Sequence, residues 1–428
     1  MTNRRSFLGL LSAPLAASLV LPRLEGMSPA PALMPNDLGP SDDEAFWRQL
    51  RKQFTIPTDE AFFNTATLGS SPKAVQQAVI GSIQHINRDI AQWDYKPDHE
   101  NFFTGYYPEM PRRDQLATVL NCTGRDLALT QNATFGMNFV ANGLDLKPGD
   151  EVVVTDQAHP GGRKGYDLRV ARDGIVVRQV TVPTPPESPD QLIQMYLDAT
   201  TPRTRVWAIP HISSSRAIRY PVKQLCALAR ERNIWGVVDG AQSLGHVVVD
   251  VQDMGCDAFF ASPHKWMLAP KGTGLLYVRP ERQKELWTTL ASSAWDDQAD
   301  PMFRLMQYGT GNLSLLIGLG VAVDFHNQIG SARIQQRDFA LADQLRTGLR
   351  TIPGATIVSP THPDLTCATT VYGLKGRTGG EIQDFLWNNG RVRVRSMGDT
   401  VGVRHACHLY NSPAEVDKAL GLLRQMTA

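Results

Sequence analysis

The side chains with chemistry to offer lie close together in one stretch, Ile234 to Val278, which reads IWGVVDGAQSLGHVVVDVQDMGCDAFFASPHKWMLAPKGTGLLYV. Three short apolar runs within it, WGVVD, DAFFASPHK and TGLLYV, have strand length and are bounded by turn residues. That is the pattern of buried strands in an α/β sheet. Two of the runs end in ionisable groups, Asp239 and Lys265. In open α/β sheets, ligands bind at strand ends. A carboxylate there can hold a cationic ring nitrogen, and an amine can condense with a carbonyl. Pyridoxal phosphate offers both features, and an aspartate on the ring nitrogen with a covalently linked lysine is its usual equipment. Taken singly, Asp239 would read as a helix cap and Lys265 as a surface lysine.

The order VVDGAQ, SPHK, GTGLLYV resembles the class V aminotransferase family, which includes cysteine desulfurases and isopenicillin N epimerases. The resemblance runs from about Phe62 to the C-terminus. It implies the α/β fold of fold-type-I pyridoxal-phosphate enzymes. A large cofactor-binding domain with a mostly parallel central sheet is expected over residues 62–311, and a smaller α+β domain over 312–428. It also implies roles. Lys265 forms the covalent link and then shuttles a proton, and Asp239 keeps the ring nitrogen protonated. Gln242 reaches the ring hydroxyl, while Ser262 and His264 meet the phosphate; His264 could instead be a packing residue.

Other elements must bring the remaining groups to that edge. FFNTATLGS, Phe62 to Ser70, resembles the family's loop into the active site, with Thr65 and Ala66 facing substrate. Ser71-Pro72 then opens a helix, serine as cap and proline in the first turn. Val75, Val79, Ile83, Ile86 and Ile90 give this helix one apolar face. The aromatic stretch from Trp93 to Met110 could line a substrate entrance or pack at a subunit contact. DLALTQNATFGMNFVANGL reads as strand, turn and helix, with Ala133 and Thr134 at a helix start suited to an anion; by resemblance this is the phosphate site. His159 follows the strand in PGDEVVVTDQAHPGG, and the resemblance stacks it on the pyridine face, although Ala158 stands where the family has glutamate. Ser214 occupies the place of a cofactor-contacting asparagine. Arg216, two residues on, could meet a substrate carboxylate or be solvated.

Two positions come from the C-terminal part of the chain. Thr310, in QYGTGN, matches the threonine that reaches the neighbour's phosphate across a dimer, with Gly311 in place of the family's proline. A homodimer with shared active sites follows from that match. Arg404, in VRHACHLYNSPAEVDKAL, matches the arginine that grips the substrate α-carboxylate, a bidentate task suited to guanidinium. Ser412 and Glu415 form a capping-box pattern. His405, Cys407 and His408 do not suggest a metal site, because strand alternation separates His408 from the other two.

The chain has 428 residues and a formal net charge of +1, enough length for two domains and no basic surplus that would favour nucleic acid. Its five cysteines form no CxxC pair, so neither a disulfide framework nor a zinc ribbon is indicated. MTNRRSFLGLLSAPLAASLVL places Arg4-Arg5 before Phe7-Leu8 and an uncharged run too short to span a bilayer. Residues 1–27 are read as an export signal resembling the twin-arginine type, and 28–61 as linker and arm with a short helix within 41–54. The twin-arginine route carries folded proteins, which suits a cofactor made in the cytoplasm. A periplasmic enzyme without a membrane anchor after processing is therefore expected. VRVRSMGDT, Val392 to Thr400, lacks the cysteine that desulfurases carry there, which turns the expectation toward the isopenicillin N epimerase-like branch. The expected activity is chemistry at the Cα of an amino-bearing substrate, tailoring a peptide or siderophore with a pyoverdine-like acidic side chain. Epimerisation, transamination or C–S lysis of a free or small-peptide amino acid is the alternative, and a non-catalytic binder of the same fold is less favoured.

Overall fold

Valine-rich and aromatic runs build the central layer. In the computed structural model, which describes residues 34–38, 44–92 and 106–427, a seven-stranded sheet has the order 127–130, 274–278, 258–261, 235–239, 204–210, 151–155, 176–180. The last five strands run parallel. Gly274–Val278 is antiparallel to both its neighbours. The expected mostly parallel sheet is thus present. Val152, Val153, Val154, Val206, Trp207, Val238 and Phe259 are completely buried, so helices cover both faces of the sheet. Three of these helices, Lys164–Asp173, Pro189–Asp198 and Val222–Glu231, are crossovers between parallel strands.

The register places the reactive ends side by side. Asp239 closes its strand opposite Phe260, and the Gly240 N–H donates to the Phe260 carbonyl at 2.8 Å. The chain that leaves Ala261 for Lys265 therefore departs beside Asp239.

A second sheet, antiparallel throughout, has the order 395–396, 403–406, 369–374, 355–357. Helices Ser331–Leu349, Gly379–Gly390 and Pro413–Thr427 close its core through Leu345, Ile382, Leu386, Val416 and Leu423. Trp266, next to Lys265, is packed into the same core with Phe63. Ala61 and Phe62 pair with Val392 and Arg393, so the N-terminal loop is tied to the C-terminal part of the chain. Leu313–Ile329 packs against the helices Lys73–Arg88 and Tyr106–Leu120.

Local expectations fared differently. The helix within 41–54 is Glu44–Arg51. The capping box holds: the Ser412 N–H donates to Glu415 Oε2 at 3.0 Å, and the Glu415 N–H to Ser412 Oγ at 3.2 Å. Ser71 does not cap its helix. That helix begins at Lys73 after Pro72, without a side-chain cap, because the Ser71 hydroxyl donates to the Ala269 carbonyl instead, at 3.2 Å. The apolar face beyond it buries only Val75, while Ile83 and Ile90 are 46% and 51% exposed. The export signal at 1–27, the proline-rich stretch that follows Ser28, and the aromatic stretch from Trp93 to residue 105 lie outside the described residues. No helix among those described is long and apolar enough to cross a membrane.

Candidate active site

Asp239 and Lys265 face one space. Asp239 Oδ1 accepts the Ala241 N–H at 2.9 Å. Its Oδ2 lies so near Gly162 that a Cβ on that glycine would come within 2.2 Å. Burial raises the Asp239 pKa, while the Ala241 N–H and then the charges of Lys265 and His159 draw it back. Burial lowers the Lys265 amine to about 8, opposed by the Asp239 charge and assisted by that of Arg404. His159 is lowered by burial and then by Lys265. Asp239, Lys265, His159 and Arg404 thus share one electrostatic neighbourhood.

His159 Nδ1 accepts the Gly161 N–H at 3.0 Å, which puts the proton of the neutral ring on Nε2. Gly161 allows this turn to close: a Cβ there would stand 2.6 Å from Thr134 Oγ1. Thr134 belongs to the helix Ala133–Gly143, capped by Asn132 through the Phe135 N–H at 3.1 Å. At the helix start the Ala133 N–H donates to Ser262 Oγ at 3.0 Å, leaving the Ser262 proton free to donate. A helix N-terminus with two hydroxyls beside it favours an anion. His264 Nδ1 stands 3.4 Å from the Thr273 carbonyl, and burial followed by the Lys265 charge pushes its pKa down to about 4.

Arg404 closes the other side. Its guanidinium donates to the Ser214 carbonyl at 2.9 Å, to Thr67 Oγ1 at 2.7 Å and to Asn64 Oδ1 at 3.4 Å. Its Nε is buried without a partner. Burial and then the charge of Arg395 push Arg404 down to about 10.

Several expected contacts are placed otherwise. Thr65 does not face substrate. It is completely buried and its hydroxyl bonds to that of Tyr410, because Asn64 bridges to Ala406 and turns the next side chain into the core. Thr67 emerges in its stead. Gln242 spends most of its amide on the protein: Nε2 donates to the Ala66 carbonyl at 2.8 Å, and Oε1 accepts the Trp266 indole N–H at 2.9 Å. One Nε2 proton remains for a ligand. Ser214 meets Arg404 through its carbonyl rather than its hydroxyl. No described hydrogen bond ties Arg216 to the site, and its Nε is buried without a partner. Thr310, expected to serve a second copy's site rather than its own, lines a cavity of about 710 Å³ with Glu109, Thr130, Gln131, Gly272 and Asn312; that expectation is not among the displaced contacts.

Two groups were invisible to motif reading. Gly162 sets the approach to Asp239. Behind Lys265, His408 Nδ1 lies 2.6 Å from Asp338 Oδ2 and its Nε2 lies 2.9 Å from the Trp266 carbonyl. Both ring nitrogens face oxygen, and both residues of the pair are fully buried. The pair holds the peptide that follows Lys265, and no sequence signal linked Asp338 to it.

These groups fit pyridoxal phosphate. The helix start with Ala133, Thr134 and Ser262 could hold its phosphate, Asp239 its ring nitrogen, His159 its ring face and Lys265 its aldehyde. Fold and site define an enzyme that works with this cofactor. Residues 100–419 match the model of the aminotransferase class V family, and the chain belongs to that family. It is 31% identical over 402 residues to isopenicillin N epimerase of Amycolatopsis lactamdurans, covering 89% of this chain and 98% of that one. Its fold is like that of the apo cysteine desulfurase from Thermococcus onnurineus, with a TM-score of 0.77 at 21% identity over 93% of this chain and 99% of that one. A mutant of the enzyme C-DES with glycine covalently linked to its PLP cofactor superposes with a TM-score of 0.73 at 22% identity, over 87% and 98% of the two chains.

Proposed function

We propose that the enzyme acts at the Cα of an amino-bearing residue carried by a peptide or siderophore, with a pyoverdine-like acidic side chain, after twin-arginine export to the periplasm. The observation that carries the chemistry is the Lys265 amine, buried beside Asp239 and Arg404 and lowered to about 8. Bound pyridoxal phosphate supplies a carbonyl and an electron-withdrawing ring that loosens bonds at an attached Cα. Lys265 Nζ, with a pKa in the working range, would take a proton from that carbon or return one. Asp239 would hold the ring nitrogen, whose positive charge would favour the carboxylate against the cost of its burial. His159 would cover the ring face and exclude water. Arg404 offers its buried Nε–H to the α-carboxylate and is held in aim by Ser214, Thr67 and Asn64. A second copy of the chain would contribute Thr310, and the exposed Ile80, Ile83 and Ile90 offer it an apolar face.

Epimerisation of a free or small-peptide amino acid is the second reading, supported by the 31% identity to an isopenicillin N epimerase. A thiol nucleophile is disfavoured: Val392 to Thr400 holds no cysteine, and Cys407 is fully buried with its thiol pushed up by that burial. The deciding experiment offers the cofactor-loaded enzyme free glutamate and siderophore-linked glutamate and follows both by mass spectrometry. Faster turnover of the linked form supports tailoring. Turnover of free glutamate alone, with a keto-acid acceptor or by loss of chirality, rejects it. Replacing Arg4 and Arg5 by lysine should strand the enzyme in the cytoplasmic fraction.

A further inference from the structure

Arg404 has an unusual neighbour. Arg395–Ser396 and Val403–Ala406 form a tight antiparallel hairpin in which Arg395 lies directly opposite Arg404. The Met397 N–H donates to the Gly402 carbonyl at 2.8 Å and fixes that register. Gly398 and Gly402, both with φ of +97°, make the turn. Residues directly opposite in such a ladder share one face of the sheet, and long side chains there reach each other. Like charges in that position repel and destabilise the pair.

The arginines around this hairpin are otherwise provided for. Arg393 stacks on the Trp387 ring, 4.0 Å from its centroid. Arg337 is paired with Glu44 and Arg346 with Asp343. Among the described residues, no carboxylate pairs with Arg395 or Arg404. Arg404 is 4% exposed and satisfied only by neutral oxygens. Arg395 stands exposed at the rim. Two uncompensated guanidinium groups, one deep and one at the mouth, thus share one face of one hairpin beside Lys265.

We propose that Arg395 is a specificity-determining residue: it binds a second acidic group on the substrate while Arg404 takes the first, so that the site selects dicarboxylates. This assignment rests on the cofactor-site reading above and favours the second reading, a free acidic amino acid: a glutamate joined to a siderophore with its α-amine and α-carboxylate free is joined through its side-chain carboxyl and has no second acid to offer. A bound dicarboxylate removes the repulsion between the two arginines, which a monocarboxylate does only in part. Each charge-assisted hydrogen bond of this kind is strong enough to change affinity by about tenfold or more.

The test is calorimetric titration of the cofactor-loaded enzyme with glutarate and with butyrate, two unreactive probes of similar length. Glutarate is expected to bind about tenfold more tightly or better. Arg395→Gln should bring glutarate to the level of butyrate, change butyrate binding far less than glutarate binding and leave the yellow cofactor absorption intact. Arg395→Lys should keep part of the preference. Equal binding of the two probes to the unmodified enzyme overturns the assignment, as does an equal loss for both in Arg395→Gln. The outcome is separable from the tailoring reading because neither probe is turned over. A glutarate preference that depends on Arg395, in an enzyme acting only on free amino acids, removes tailoring and leaves the assignment standing.

Discussion

The floor and the wall of the site are built on opposite electrostatic plans. The floor is the edge of the parallel sheet, where Asp239 and Lys265 carry opposite charges and each moderates the other's pKa. The wall is an antiparallel hairpin of the second sheet, where Arg395 and Arg404 carry like charges directly opposite each other. The floor is close to neutral and suits a group that is itself cationic at one end and reactive toward an amine at the other. The wall is short of negative charge, which has to come from outside. Arg113 is paired with Asp300 at 2.8 Å, while Arg304 is buried on backbone carbonyls alone. Arg404 differs from both in standing beside Lys265 with a second, like-charged guanidinium directly opposite it, and an uncompensated buried charge is costly.

The largest expected effect breaks the floor. Lys265→Ala should abolish covalent retention of the cofactor and lower turnover by about a thousandfold or more, measured by steady-state assay and by absorption. The wall should leave that absorption untouched, which separates the two regions.

The next effect concerns the link between them. His408→Ala leaves Asp338 buried and unpaired beneath the Trp266 carbonyl. Loss of one partner of a buried pair costs about 3–5 kcal/mol, readable as a lower unfolding midpoint in denaturant. An unchanged midpoint would mean that His408 and Asp338 do not brace the Lys265 segment.

Gly162→Ala should be smaller and more specific. The new methyl group meets the Asp239 carboxylate, and overpacking costs about 1–3 kcal/mol. Cofactor affinity should fall by about tenfold, measured by equilibrium dialysis, with little loss of binding at the wall.

The smallest effect is one of pH. An amine must be unprotonated to attack an aldehyde, and Lys265 is lowered from 10.5 to about 8. Incorporation of pyridoxal phosphate into the cofactor-free protein should therefore quicken as pH rises toward about 8 and level off above it. A rate still climbing near pH 10 would mean an ordinary exposed lysine.

How much of this was legible depended on distance along the chain. Asp239 and Lys265 sit in one continuous stretch whose apolar runs mark their own strands, so type and order sufficed. Arg404 was legible through the block around it. Thr65 was misread because its direction is set by the Asn64 bridge to Ala406, at the far end of the chain. Ser71 was misread because the Ala269 carbonyl competes for its hydroxyl. Gly162 looked like any turn glycine until folding placed it against Asp239. Arg395 carried no signal until strand register set it opposite Arg404. Local pattern yields the strands, and long-range register decides which neighbours meet.

Reduction of the cofactor-loaded enzyme with borohydride, followed by peptide mapping, tests the floor most directly. The account predicts a reduced pyridoxyl phosphate adduct on Lys265 and on no other lysine. An adduct on Lys271, whose ammonium is held by the Gly69 carbonyl at 2.7 Å, or no adduct in a protein that binds the cofactor, would contradict it.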